Sequence, residues 1–97
     1  MAIEHIVLIE FKDGTTDAER AQTQTVLTAL KDKIPGIEAM RVGLNFSERA
    51  GKIELAAVMT MTDRAVLESY GPHDAHQAAI KEFSGFVENL TVVDFEY

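Results

Sequence analysis

The stretch Ile3-Glu4-His5-Ile6-Val7-Leu8-Ile9-Glu10-Phe11 is rich in β-branched residues and reads as a strand. His5, Val7, Ile9 and Phe11 share one face. Ile6 and Leu8 share the other, with Glu4, Glu10 and Lys12 at its ends. Both faces therefore have apolar centres. A strand in an antiparallel sheet with one wet face alternates cleanly between apolar and polar residues, so both faces of this strand need cover. The segment from Lys52 to Met61 repeats the pattern. Ile53, Leu55, Ala57, Met59 and Met61 fall on one side, and Ala56 and Val58 on the other.

Working outward, Asp13-Gly14 marks a turn, and Thr16 followed by Glu19 has the spacing of a helix capping box. Ala18, Ala21, Val26, Leu27, Leu30 and Ile34 then recur at helical spacing until Pro35-Gly36 ends the run. Glu38 to Phe46 alternates as a second strand, with Met40, Val42, Leu44 and Phe46 against Arg41, Gly43 and Asn45. Ser47 to Gly51 is turn-like, and Lys52 to Met61 is the third strand. Asp63 caps a short helix that ends near Tyr70, and Gly71-Pro72 breaks it. A further helix starts near His73 and carries Ala79, Ile80, Phe83, Phe86 and Val87 on its buried side. Leu90 to Tyr97 is the last strand.

The order β-α-β-β-(α)α-β is that of a ferredoxin-like α+β domain: a four-stranded antiparallel sheet with helices on one face. Residues 1–97 read as one domain. Its helices cover only one side of the sheet. The simplest cover for the other side is the sheet of a second copy, giving a two-fold homodimer of barrel form. The alternative is a strongly twisted sheet shielded by long polar side chains.

Composition narrows the function. Sixteen acidic against nine basic residues give a net charge of −7, which disfavours nucleic-acid phosphates and anionic membrane surfaces as partners. The absence of cysteine excludes disulfides, thiolate catalysis and thiolate metal sites, and fits a reducing compartment. Met1-Ala2-Ile3-Glu4-His5 has neither the basic start nor the apolar run of a signal peptide. A cytoplasmic protein is expected.

Several segments together resemble the stress-responsive dimeric α/β-barrel (Dabb) family. They are His5-Ile6-Val7-Leu8-Ile9-Glu10-Phe11-Lys12-Asp13, Lys33-Ile34-Pro35-Gly36-Ile37, Val42-Gly43 with Asn45-Phe46-Ser47, Tyr70-Gly71-Pro72-His73-Asp74-Ala75-His76-Gln77, and Val92-Val93-Asp94-Phe95-Glu96-Tyr97. The resemblance spans nearly the whole chain and implies ferredoxin-like protomers paired into a barrel. One departure stands in the histidine box: the proline that usually follows its first histidine is Asp74 here, while Pro72 precedes that histidine. Both residue types suit a first helical turn.

The histidines fall in two places, His5 on the first strand and His73 with His76 at the start of the last helix. The positive end of the helix dipole disfavours a protonated imidazole at His76, as a general base requires. Tyr70 is placed to donate to a developing oxyanion. If the His5 face looks toward the helices, His5, Val7, Ile9 and His73 border one small-molecule pocket with Tyr70 and His76. The resemblance implies the same pair: a plant cyclase of the family closes a polyketide without a cofactor through the tyrosine and the second histidine of this box, positions matching Tyr70 and His76, with its strand-one histidine matching His5. Thr23, Gln24 and Leu27 stand where that enzyme has aromatic residues. Against catalysis stand structural roles: His73 as a cap, His76 and Tyr70 as packing groups, His5 as a hydrogen-bonded strand residue. No cofactor and no metal site is expected, because the histidines lack the spacing of a helical metal motif. The main expectation is a small-molecule-binding homodimer with no established reaction. The alternative is a cofactor-free cyclase-like or monooxygenase-like enzyme using Tyr70 and His76. A purely structural module would have the pocket space filled by side chains.

Overall fold

A computed structural model describes residues 1–97. The first strand, β1 (Ile3–Phe11), is followed by α1 (Asp17–Thr28) and a short α2 (Leu30–Lys33). Then come β2 (Ile37–Leu44), β3 (Leu55–Met61), α3 (Arg64–Tyr70), α4 (Asp74–Phe83) and β4 (Val87–Glu96). The sheet order is β2-β3-β1-β4 with every pair antiparallel. This is the ferredoxin-like arrangement read from the sequence. The molecule measures 38 × 28 × 17 Å, and the short dimension matches one sheet and one helix layer.

Local chemistry sets the element ends. Thr16 Oγ1 accepts from the Glu19 N–H, and the Glu19 carboxylate accepts from the Thr16 N–H, so both partners of the capping box are present. Asp63 caps α3 by accepting from the Val66 N–H. The first helical run is split at Ala29, which keeps right-handed helical angles, so the chain continues in nearly the same path. Gly36 takes φ +94°, and a Cβ there would lie 2.4 Å from a Val66 methyl. The Pro35-Gly36 corner thus does more than stop a helix. It lets α3 close against the start of β2.

Four boundaries differ by more than one residue from those read from the sequence. β2 ends at Leu44 and β3 begins at Leu55. The cause is Asn45, whose amide donates to the carbonyls of Ser47 and Ile53 and accepts from the Ser47 N–H, folding the intervening chain into a loop. Phe46 therefore leaves the strand alternation and is fully exposed. At the other end α4 stops at Phe83. Ser84–Phe86 form a 3₁₀ turn, and β4 starts at Val87 rather than Leu90. Phe86 and Val87 still pack on the core, but from the turn and the strand.

The core lies between sheet and helices. Ile3, Val7, Ile9 and Phe11 of β1 and Leu55, Ala57, Met59 and Met61 of β3 meet Leu27, Leu30, Ala79 and Phe83. The opposite sheet face carries Ile6, Leu8, Ala56 and Val58, only half-buried, with Val93 and Phe95 exposed on β4. No helix of the chain is long and apolar enough to cross a membrane.

Candidate functional site

His5 sits mid-strand on the helix-facing side of β1, 6% exposed, where its neighbours are apolar. A buried imidazole needs a hydrogen-bond partner. It finds one in Asp94, directly opposite it on β4. His5 Nδ1–H donates to Asp94 Oδ1. Two residues 89 apart in sequence are paired because β1 and β4 are adjacent and antiparallel.

Tyr70 is the last residue of α3. Its ring is 4% exposed and lies edge-on to His5, with centroids 5.3 Å apart. Burial alone pushes its hydroxyl well above the usual tyrosine range. The phenol therefore keeps its proton across the physiological range and can act as a hydrogen-bond donor. On its other side Tyr70 stacks at a tilt on His76, with centroids 4.2 Å apart. The three rings form a continuous row His5–Tyr70–His76.

The turn between α3 and α4 fixes the two later histidines. His73 is the N-cap of α4, and its Nδ1 accepts from the Ala75 N–H at 3.1 Å. An accepting Nδ1 carries no proton, so His73 is held as the Nε2–H tautomer and serves the helix end. His76 lies in the first turn, and its Nδ1 is 2.8 Å from the Gly71 carbonyl oxygen. A carbonyl only accepts, so His76 Nδ1 carries the hydrogen and Nε2 is the nitrogen left for chemistry. The Gln77 amide donates to the same carbonyl at 2.7 Å, which ties the turn down.

The expected site residues separate into two groups. His5, Tyr70 and His76 come together. His73 stands apart as a cap. Val7 and Ile9 lie in the packed core, 7% and 0% exposed. None of the five main hollows of the molecule is lined by Tyr70 or His76. A hollow of about 310 Å³ between α3 and β4 is lined by Asp94 together with Ile3, Arg64, Leu67, Glu68, Phe95 and Glu96, and by none of the three rings. Asp94, the hydrogen-bond partner of His5, borders that hollow, and it is the residue that sequence reasoning left out. The signal for it was the strand pairing itself, since a β1–β4 neighbour relation puts some β4 side chain beside His5. No group of three histidine, aspartate or glutamate side chains is arranged to hold a metal ion.

An antiparallel sheet in the order β2-β3-β1-β4 with helices on one face and an apolar second face is the plan of a ferredoxin-like domain whose sheet is suited to pairing. Residues 3–97 match the stress-responsive A/B barrel domain family, and the chain belongs to it. Among curated proteins it is 25% identical to a stress-response A/B barrel domain-containing protein of Arabidopsis thaliana over 97% of this chain, yet spans only 36% of that protein's length. It is 23% identical to olivetolic acid cyclase of Cannabis sativa, covering 98% of this chain and 96% of the cyclase. A dimeric ferredoxin-like protein of Thermobifida fusca superposes with a TM-score of 0.88 at 26% identity, covering 100% of this chain and 92% of that one.

Proposed function

We propose that the chain acts as a homodimer and binds a small carbonyl-bearing molecule at the His5–Tyr70–His76 row. The supporting observation is chemical convergence. A tyrosine held protonated by burial lies between two imidazoles that each commit Nδ1 to the protein, leaving both Nε2 atoms unengaged. The hollow bordered by Asp94 lies on the same side of the sheet as the row, next to the residue that holds His5. The dimer follows from the uncovered apolar sheet face and is in keeping with the dimeric relative from Thermobifida fusca. A cytoplasmic setting agrees with the lack of cysteine.

The binding reading is tested by adding a β-diketone such as acetylacetone and following the three imidazoles by NMR. The expected result is a saturable shift of His5 and His76 that Tyr70→Phe weakens. Absence of any shift at His5 and His76 would rule out this site.

A second, catalytic reading rests on the anchored His76. With Nδ1 fixed on Gly71, Nε2 is oriented to take a proton from a carbon flanked by carbonyls, and Tyr70 donates to the resulting enolate oxygen. No cofactor is required for that proton transfer. His76→Ala should slow hydrogen–deuterium exchange at such a carbon by roughly 100- to 10,000-fold relative to the unmodified protein. An unmodified protein that does not accelerate the exchange would leave binding alone.

A further inference from the structure

Pro72 stands directly before His73, so Gly71 is a residue that precedes a proline. Such a residue is biased away from helical angles and towards extended ones, because the proline ring crowds its N–H. Gly71 nevertheless takes φ −54° and ψ −54° as the C-cap of α3. Its carbonyl lies at the helix end, where no later turn supplies a donor, and no backbone N–H of the turn donates to it. Two side chains do. His76 Nδ1 lies 2.8 Å from this oxygen, and Gln77 Nε2 lies 2.7 Å from it. A carbonyl oxygen has two lone pairs, so both can donate at once. The acceptor also settles which way the amide points, since only its NH2 end can face a carbonyl. Gln77 is exposed, and this is its one side-chain hydrogen bond.

We propose that Gln77 is a positioning residue for His76: it clamps the Gly71 carbonyl in its helical orientation and so keeps the acceptor that holds His76 as the Nδ1–H tautomer. This rests on the reading of His76 as the group that meets the carbonyl-bearing molecule. Rotating Gly71 towards the extended angles that Pro72 favours swings its carbonyl away from α4. His76 Nδ1–H then loses its acceptor, and an unanchored neutral imidazole exchanges between its two tautomers. In the Nε2–H form the lone pair sits on Nδ1, the nitrogen that faces the turn, and Nε2 can no longer take a proton. The Gln77 amide opposes that rotation by holding the same oxygen through its second lone pair. His73 gives an internal reference. Its Nδ1 accepts from the Ala75 N–H, so it is held in the opposite tautomer by a contact that does not involve Gly71.

The test reads the tautomers directly, from two-bond proton–nitrogen correlations of the imidazoles at a pH where all three are neutral. Three proteins are compared: the unmodified chain, Gln77→Met, which keeps the length but removes the donor, and Gln77→Lys, which keeps a donor. Because Gln77 is exposed, all three should fold. The unmodified protein should show His76 as Nδ1–H and His73 as Nε2–H. Gln77→Met should lower the Nδ1–H to Nε2–H ratio at His76 roughly fivefold, the worth of one ordinary hydrogen bond, with His73 unchanged. Gln77→Lys should restore the ratio. An unchanged ratio in Gln77→Met overturns the clamp, and so does a lysine variant that behaves like the methionine one. A change at His73 as large as that at His76 also overturns it, since it marks a general loosening of the α4 start. An unmodified protein with His76 as Nε2–H overturns both the clamp and the catalytic reading. A protein that shows the expected tautomers but whose His5 and His76 do not respond to acetylacetone overturns the proposed binding and leaves the clamp standing.

Discussion

Asp94→Ala removes the only hydrogen-bond partner of a buried imidazole. His5 Nδ1–H then has no acceptor in a setting where the residue is 6% exposed. An unsatisfied buried donor costs about 1–3 kcal/mol. The Asp94 side chain is 36% exposed, so water screens part of its charge and relieves part of the loss. The lower part of the range applies, about 1–2 kcal/mol. For a domain of this size each kcal/mol shifts Tm by about 4–8 °C, so a drop of roughly 4–16 °C is expected. Asp94→Asn keeps an acceptor oxygen and should lose less than half as much. The assay is thermal unfolding followed by circular dichroism at fixed protein concentration, run as a double-mutant cycle with His5→Phe. With phenylalanine at position 5 no donor is stranded, so Asp94→Ala should then cost under about 0.5 kcal/mol. An equal cost of Asp94→Ala in both backgrounds would show that the pair contributes nothing, and Asp94 would leave the site.

Three further outcomes are expected. Gly36→Ala forces an L side chain into positive φ, about 1–2 kcal/mol, and drives a Cβ to 2.4 Å from Val66. It should lower Tm by more than about 5 °C, and Val66→Ala should restore only the steric part; a neutral Gly36→Ala would refute the close approach. Tyr70 has its folded pKa raised by burial, so its contribution to stability is complete below the ordinary tyrosine value of about 10 and is lost as pH rises from there toward the folded value. Absorbance at alkaline pH should show Tyr70 ionising late, in step with unfolding, and early ionisation that survives in Tyr97→Phe would contradict its burial. His73→Ala removes the α4 cap and should cost about 1 kcal/mol while leaving acetylacetone shifts at His5 and His76 in place, whereas loss of those shifts would assign His73 to the site.

Much of the fold was legible because its signals are local. The two-sided apolar pattern of Ile3 to Phe11 gave the central strand, and Thr16, Asp63 and Pro35-Gly36 marked helix ends through contacts spanning a few residues. The boundaries that moved depend on contacts the local pattern does not carry. Asn45 reaches forward to the Ile53 carbonyl, so the apolar run through Phe46 stops being strand two residues early. Phe86 leaves the helix because its carbonyl accepts from the Lys12 N–H across the sheet. The site divides in the same way. Tyr70, His73 and His76 lie within one turn region and were visible together. His5 needed the strand face, and Asp94 needed the pairing of the first strand with the last.

The most direct test is sedimentation equilibrium of the unmodified protein at low micromolar concentration, beside Ile6→Glu. Ile6 lies on the outer face between Val58 of β3 and Val93 of β4, both apolar. A carboxylate there is tolerated by a half-exposed face of a free chain but costs several kcal/mol when buried without a partner in a seam. The unmodified protein should sediment at twice the 10.7 kDa chain mass, and Ile6→Glu should be folded and monomeric or should aggregate. An unmodified protein that sediments cleanly at 10.7 kDa would contradict the paired barrel.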